Sequence, residues 1–213
     1  MAQRFEVFVD DSYMYSGVLG PRHRWQTITM AGKDGAVVLR GEHGFSEKVN
    51  YIPFRQLFGK ARTTRRFRIF SGEKVVGDMA LLNQGLYKSF YRIALSDGGE
   101  LQCYSREKGS FGYVSVYQEE RQIALLEIYL TTVDYKYNYK VYLLEECTDL
   151  RDILVFFVLY YANWNYAQRF HMSKESVHVK AWTFSRYNQK YDPAWREKHF
   201  PQENFFGKTS LFE

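Results

Sequence analysis

Residues 149–164 of this chain read DLRDILVFFVLYYANW. From position 153 to 162 every side chain is apolar or aromatic, so the segment lacks the polar stripe that a helix on a protein surface carries. Asp149 and Asp152 place negative charge where the dipole of a helix favours it, and Thr148 or Asp149 is the expected N-cap. The sequence therefore predicts a helix over residues 153–164 that is buried on all sides.

The residues that precede this helix are divided by turn signals into apolar runs. Asp34-Gly35 and Asp97-Gly98 each lie between two such runs, which is typical of β-hairpins because these residue types accept positive φ. The predicted strands are residues 25–30, 37–40, 65–70, 74–82, 87–95, 100–105, 111–117, 122–130 and 135–144. Turns at about every ten residues predict a meander, a sandwich or a barrel.

Two of the predicted strands carry informative side-chain patterns. In residues 123–130 both faces are apolar and only Glu127 is charged, so we expect this strand to be covered on both sides. In residues 135–144, Tyr135, Tyr137 and Tyr139 share one face, because alternate residues of a strand point the same way.

Many strands followed by one fully apolar helix resemble the tubby C-terminal-like superfamily, which includes tubby proteins, phospholipid scramblases and LURP-one-related proteins. The resemblance rests on residues 149–164 and on the strands between positions 67 and 144, and it covers residues 5–170. It implies an all-β, or β-rich α+β, fold in which an antiparallel barrel-like sheet encloses the helix. Tubby proteins bind phosphoinositides through basic residues, but no local motif transfers those positions to this sequence.

The organisation of the chain and its compartment follow from simple features. We expect one domain over residues 1–213, with a core at 5–187 and an irregular C-terminal extension at 188–213 laid over the surface. The longest apolar run, residues 153–162, is shorter than the roughly 20 residues that cross a bilayer, and residues 1–6 lack the apolar run of a secretory signal. Cys103 and Cys147 form no CxxC pair. These features predict a cytoplasmic protein without a transmembrane segment.

Positive charge is concentrated in one stretch, although the net charge is only +5. No acidic residue lies between Glu47 and Glu73. The basic segment within this stretch consists of Lys60, Arg62, Arg65, Arg66 and Arg68. One interpretation is an anion site for lipid headgroups, an acidic protein or nucleic acid. The other is a solvated strand face whose charges pair with acids elsewhere in the chain. The expected acids are Glu119, Glu120, Glu145 and Glu146.

The alternation of the basic segment favours some anionic partners over others. If residues 65–70 form a strand, Arg66 and Arg68 share one face while Phe67 points to the other. A phenylalanine that faces the core cannot stack on nucleic-acid bases. An anionic membrane surface or an acidic protein is therefore favoured over nucleic acid.

Linear motifs for catalysis or cofactor binding are absent from the sequence. It contains no HExxH, CxxC, GxSxG, GxGxxG or GxxxxGK[ST] pattern, and the spacing of His171 and His178 fits no metal site. We therefore expect no catalytic residue, no cofactor and no metal, and a non-enzymatic binding or scaffold domain. The alternative is an enzyme or a small-ligand-binding protein whose pocket is lined by Tyr135, Tyr137 and Tyr139 and leaves no linear motif.

Overall fold

The structure is a computed structural model and describes most of the predicted strands and the apolar helix. The described residues are 3–9, 12–19, 27–43, 62–85, 88–109, 111–130, 137–165, 181–182, 187, 190–192 and 194–201. The strands are β1 (Gln3–Val9), β2 (Ser12–Leu19), β3 (Thr27–Gly32), β4 (Val37–His43), β5 (Arg62–Ser71), β6 (Lys74–Asn83), β7 (Ser89–Leu95), β8 (Glu100–Gly109), β9 (Phe111–Gln118), β10 (Arg121–Leu130), β11 (Tyr137–Leu143) and β12 (Ala181–Trp182). Every predicted strand is present, and β1 and β2 precede them. Residues 25–26, 87 and 135–136 of the predicted strands lie outside the described residues.

The hairpins form where the sequence predicts them. Gly35 and Gly98 have φ values of 79° and 95°, which a side chain would make unfavourable. The Asp34 carboxylate accepts a hydrogen bond from the backbone N–H of Ala36 at 3.0 Å. Asp97 accepts one from Gly99 at 2.9 Å. These local bonds hold each turn tight and fix the register of the flanking strands.

The strands form one antiparallel sheet with simple topology. Strands β1 to β11 are hydrogen-bonded in chain order, and β12 pairs with β8. Within the described residues, β1 and β11 are not paired with each other, so the sheet is not closed into a barrel. The expectation of barrel closure is wrong, because closure requires the first and last strands to share a hydrogen-bond ladder.

The apolar helix, α1 (Arg151–Asn165), lies against one face of this sheet, which we call the inner face. Its residues 154–163 are all buried, which confirms the predicted buried helix. Leu159 and Phe156 reach the backbone of β2 and β4 at Gly17 and Gly41, where a Cβ atom would lie 2.7 Å and 2.6 Å from them. Burial of each large side chain contributes roughly 1.5–3 kcal/mol, so α1 supplies much of the stability of the fold.

The start of α1 differs from the prediction. A 3-10 helix (Glu145–Leu150) directly precedes α1, so Thr148 and Asp149 lie inside a helical segment and not at its N-cap. Thr148 does not cap the helix but donates its hydroxyl to the carbonyl of Glu145 at 3.1 Å. Asp152 lies in the first turn of α1, as expected, and accepts a hydrogen bond from the Tyr15 hydroxyl of β2 at 2.6 Å.

The opposite face of the sheet, the outer face, is partly covered by residues that follow the helix. We call the described residues 187, 190–192 and 194–201 the C-terminal segment; they include α2 (Ala194–His199). Tyr187 contacts Phe90 of β7, and Tyr191 contacts Tyr113 of β9. Residues 122–128 of β10 are buried between α1 and this segment, which confirms the predicted two-sided cover. Neither helix in these ranges has the length and apolar character that crossing a membrane requires.

Candidate functional site

The basic segment is the candidate site predicted from the sequence, and the structure describes three of its side chains. Lys60 lies outside the described residues. Arg62 begins β5, but its side chain is outside the described part. Arg65, Arg66 and Arg68 follow on β5.

Arg66 and Arg68 are exposed on the outer face of β5. Between and beside them, Phe67 and Ile69 are fully buried on the inner face. The alternation of β5 that the sequence predicts is therefore present, and the two arginines are accessible to a partner.

Arg65 does not lie with the other two arginines. A bulge between Thr64 and Phe67 interrupts the pairing of β5 with β6, and Arg65 takes a φ of 56°. Its guanidinium donates a hydrogen bond to the Tyr91 hydroxyl at 2.9 Å and stacks 5.2 Å from the ring centre of Trp164. Its carbonyl accepts a hydrogen bond from Tyr160 at 2.8 Å. The extra residue of the bulge turns Arg65 toward α1, where a positive charge near the helix C-terminus is favourable.

The acids that surround Arg68 come from the neighbouring strands. Glu42 of β4 and Asp78 of β6 lie directly opposite Arg68 in the register. Glu42 forms an ion pair with Arg40 at 2.8 Å, and Asp78 forms one with Arg92 at 3.5 Å. Within the described part of the chain, Arg68 itself forms no ion pair. Because Arg40 and Arg92 already engage the two acids, positive charge prevails on this part of the outer face.

Two of the four acids that the sequence analysis expects as partners for the basic segment form ion pairs with other residues. Glu120 forms an ion pair with Lys190 at 2.8 Å, and Glu146 forms one with Arg121. The described structure therefore does not bring these two carboxylates to the basic segment.

The tyrosines proposed for a ligand pocket are only partly described. Tyr135 lies outside the described residues, and the Tyr137 side chain is likewise not described. Tyr139 is half-buried and packs against the core cluster that contains α1. It belongs to the packing of the inner face.

A second polar group lies between α2 and the outer face of the sheet. No local pattern in the sequence predicts this group. Glu127 is 4% exposed and accepts a hydrogen bond from the Tyr142 hydroxyl at 3.3 Å. The Arg196 guanidinium lies over the Tyr142 ring at 5.8 Å. Burial raises the pKa of Glu127 above its ordinary value, although the charge of Arg196 opposes this shift. The group joins α2 to β10 and β11 through polar contacts.

Metal and thiol chemistry find little support in the described residues. Over the ranges that the structure covers, no group of three or more His, Cys, Asp or Glu side chains lies together as a metal site requires. Cys103 and Cys147 are buried and unpaired, and burial raises the pKa of the Cys103 thiol. A raised pKa disfavours the nucleophilic thiolate.

Comparisons of the chain with protein-family models, with curated proteins and with solved structures found no match. The candidate site therefore rests on the geometry of the chain alone.

Proposed function

We propose that this chain is a non-enzymatic binding or scaffold domain that contacts an anionic surface through the outer face of β5. Lipid headgroups are the leading partner, and an acidic protein is the other candidate. The observation that carries the proposal is the exposure of Arg66 and Arg68 beside two acids that are already paired with Arg40 and Arg92. Arginine suits this role because its planar guanidinium binds phosphate and carboxylate groups in a bidentate manner.

The filled inner face supports a binding role over catalysis. The side chains of α1 pack directly against strand backbone, with Leu159 at Gly17 and Phe156 at Gly41. Tyr139, which the enzyme alternative would place in a pocket, packs against the same core. The outer face is then the surface that remains for a partner.

The arrangement also supports the proposed relation to the tubby C-terminal-like superfamily. The features that support the relation are the long antiparallel sheet in chain order and the one apolar helix that follows it and packs on its inner face. The open ends at β1 and β11 are a difference from it. A shared fold does not by itself carry a shared ligand, so the anionic partner is argued only from the arginines of this chain.

The test is sedimentation of the full chain with vesicles of neutral lipid alone and with a graded fraction of anionic lipid. The variant is Arg66→Ser with Arg68→Ser. The matched control is Lys33→Ser with Lys74→Ser, which removes the same charge from exposed hairpin positions. Each basic residue near an anionic membrane contributes about 1 kcal/mol, so we expect the Arg66/Arg68 variant to bind roughly thirtyfold more weakly than the native chain.

The control pair separates a local site from net charge. We expect the lysine variant to bind much like the native chain and binding of both to decrease as salt rises. Equal weakening by both variants would mean that binding depends on net charge and not on a local site. If the native chain binds no anionic vesicle, lipid is excluded as the partner.

A further inference from the structure

A lysine of the C-terminal segment lies in an aromatic site on the outer face. The Lys190 ammonium is 4.8 Å from the ring centre of Tyr117 and 5.9 Å from that of Tyr104. These two rings are 5.7 Å apart and nearly perpendicular, at 82°. Two ring faces thus enclose the cation from different directions, which is the arrangement that cation–π attraction favours.

One carboxylate completes this site. Glu120, in the turn between β9 and β10, accepts a hydrogen bond from the Lys190 ammonium at 2.8 Å. That bond lowers the pKa of Glu120. The Glu120 side chain is 92% exposed and that of Lys190 is 22% exposed, so the site opens to solvent on the carboxylate side.

The aromatic floor of the site is separate from the core under α1. Phe90, Tyr104 and Tyr117 form their own buried cluster, against which Tyr187 packs. Burial raises the pKa of Tyr104 to about 12. Removal of the residues that cover this floor would expose an aromatic patch without opening the main core, and such patches mark interaction sites.

Tyr187 and Lys190 enter the site together. The backbone N–H of Lys190 bonds to the Tyr187 carbonyl at 2.9 Å, and the Lys190 carbonyl accepts a hydrogen bond from the Tyr117 hydroxyl at 3.0 Å. The Tyr187 ring lies 5.0 Å from that of Tyr104. The occupant therefore presents an aromatic ring and, three residues later, an ammonium.

We propose that Tyr104, Tyr117 and Glu120 form an ammonium-binding site that Lys190 occupies from within the chain, and that its ligand is a peptide segment with an aromatic residue three positions before a lysine. This site is separate from the outer face of β5 proposed to contact an anionic surface. It binds a cation, whereas that face binds anions. The segment has a second attachment at and just after α2, where Arg196 and Phe200 contact Tyr142 of β11, so Tyr187 and Lys190 can leave while α2 remains docked.

The carboxylate sets which ammonium the site accepts. Glu120 binds Lys190 through an N–H donor, and a trimethylated lysine has no such donor. The site should therefore favour a primary ammonium over a trimethylated one, although both can face the rings.

The experiment uses the full chain and a synthetic peptide with the sequence of residues 184–193, FSRYNQKYDP, in calorimetric titration. Tyr187→Ala with Lys190→Ala empties the site and leaves Tyr104, Tyr117 and Glu120 in place. Because the native chain must first release its own tyrosine and lysine, we expect the emptied variant to bind the peptide about tenfold more tightly. A peptide with norleucine in place of the lysine should bind about tenfold more weakly, because it lacks the charge and the donors.

Adding Glu120→Gln to the emptied variant should weaken binding about threefold, since this exposed substitution removes only the carboxylate and an exposed ion pair contributes little. Equal binding of the lysine and norleucine peptides would contradict the proposal, as would equal binding by the native and emptied chains. Tyr187→Ser with Lys190→Gln serves as the emptied site if the double alanine variant does not fold. Loss of folding in both variants would make Tyr187 and Lys190 structural residues and overturn the proposal.

Discussion

The two faces of the sheet are covered in different ways. On the inner face α1 buries residues 154–163 without a single charged side chain. On the outer face the C-terminal segment buries Arg196 beside Glu127 and holds Lys190 against Glu120. We call α1 the inner cover and the C-terminal segment the outer cover. The inner cover is apolar and continuous, and the outer cover is aromatic and contains ionisable side chains.

This difference assigns different roles to the two covers. Apolar burial is non-directional and grows with area, so α1 can leave only when the whole sheet unfolds. In its described residues the C-terminal segment buries one large apolar side chain, that of Trp195. Its other contacts are aromatic and polar ones that trade against water with a small net gain, so the segment can detach locally. The inner cover is therefore required for the fold. The outer cover can be displaced by a partner that binds the same surface of the sheet.

The largest expected effect comes from placing a charge in the inner cover. Phe157 is 1% exposed and contacts Tyr91 and Tyr161. Phe157→Asp should cost about 5 kcal/mol or more, which is comparable to the stability of a whole domain. We expect loss of soluble, folded protein, measured by expression yield and by circular dichroism on heating.

The control at the same position is Phe157→Leu, which keeps the site apolar and should cost about 1 kcal/mol. A soluble Phe157→Asp protein with native melting behaviour would show that α1 is not the centre of the core.

A smaller effect is expected from the outer cover. Trp195 of α2 is 6% exposed and packs against Phe200, whose ring lies 5.3 Å from that of Tyr142. Trp195→Ala should lower the free energy of unfolding by about 3 kcal/mol and release α2, while α1 and the sheet remain folded. Urea unfolding and near-ultraviolet circular dichroism measure the two parts of this prediction. Complete unfolding of Trp195→Ala without denaturant would place α2 in the indispensable core.

The smallest effect is a dependence on pH at Glu127. Because burial raises its pKa above the ordinary 4.5, folding favours the protonated carboxyl. The stabilising contribution is therefore complete below pH 4.5 and is lost as pH rises through the raised pKa. Glu127→Gln should be more stable than the native chain at neutral pH, and the two should converge in acid. Glu119→Gln, in the exposed turn, controls for the lost charge; an identical pH profile for all three proteins would contradict the assignment.

Local patterns in the sequence predicted much of the fold. Two hairpins are predicted by Asp34-Gly35 and Asp97-Gly98, because the positive φ values that these turns require suit few residue types other than glycine. The apolar run at 153–162 predicts α1. The strand around Glu127, which is apolar on both faces and has no other charged residue, predicts a strand covered on both sides. Each of these signals acts over a few residues, so periodicity is enough to read it.

The parts that could not be predicted depend on contacts between distant positions. Arg65 turns inward at a bulge, and arginine carries no local preference for positive φ that would signal it. Lys190 reaches Tyr117 and Glu120 across about seventy residues of chain, and no spacing within the segment encodes that pairing. Whether β1 and β11 pair depends on the curvature summed over the whole sheet, which single strands do not specify.

Native-state hydrogen exchange of the full chain tests the two-cover account most directly. The amides of α1, such as those of Phe157 and Tyr160, should exchange only through global unfolding, and their exchange should follow denaturant steeply. The amides of Trp195 and Phe200, which bond to the carbonyls of Asp192 and Arg196, should exchange through a local opening at a free energy lower by about 2 kcal/mol or more and with little dependence on denaturant. Exchange of the α2 amides at the same free energy as those of α1 would contradict the claim that the outer cover detaches on its own.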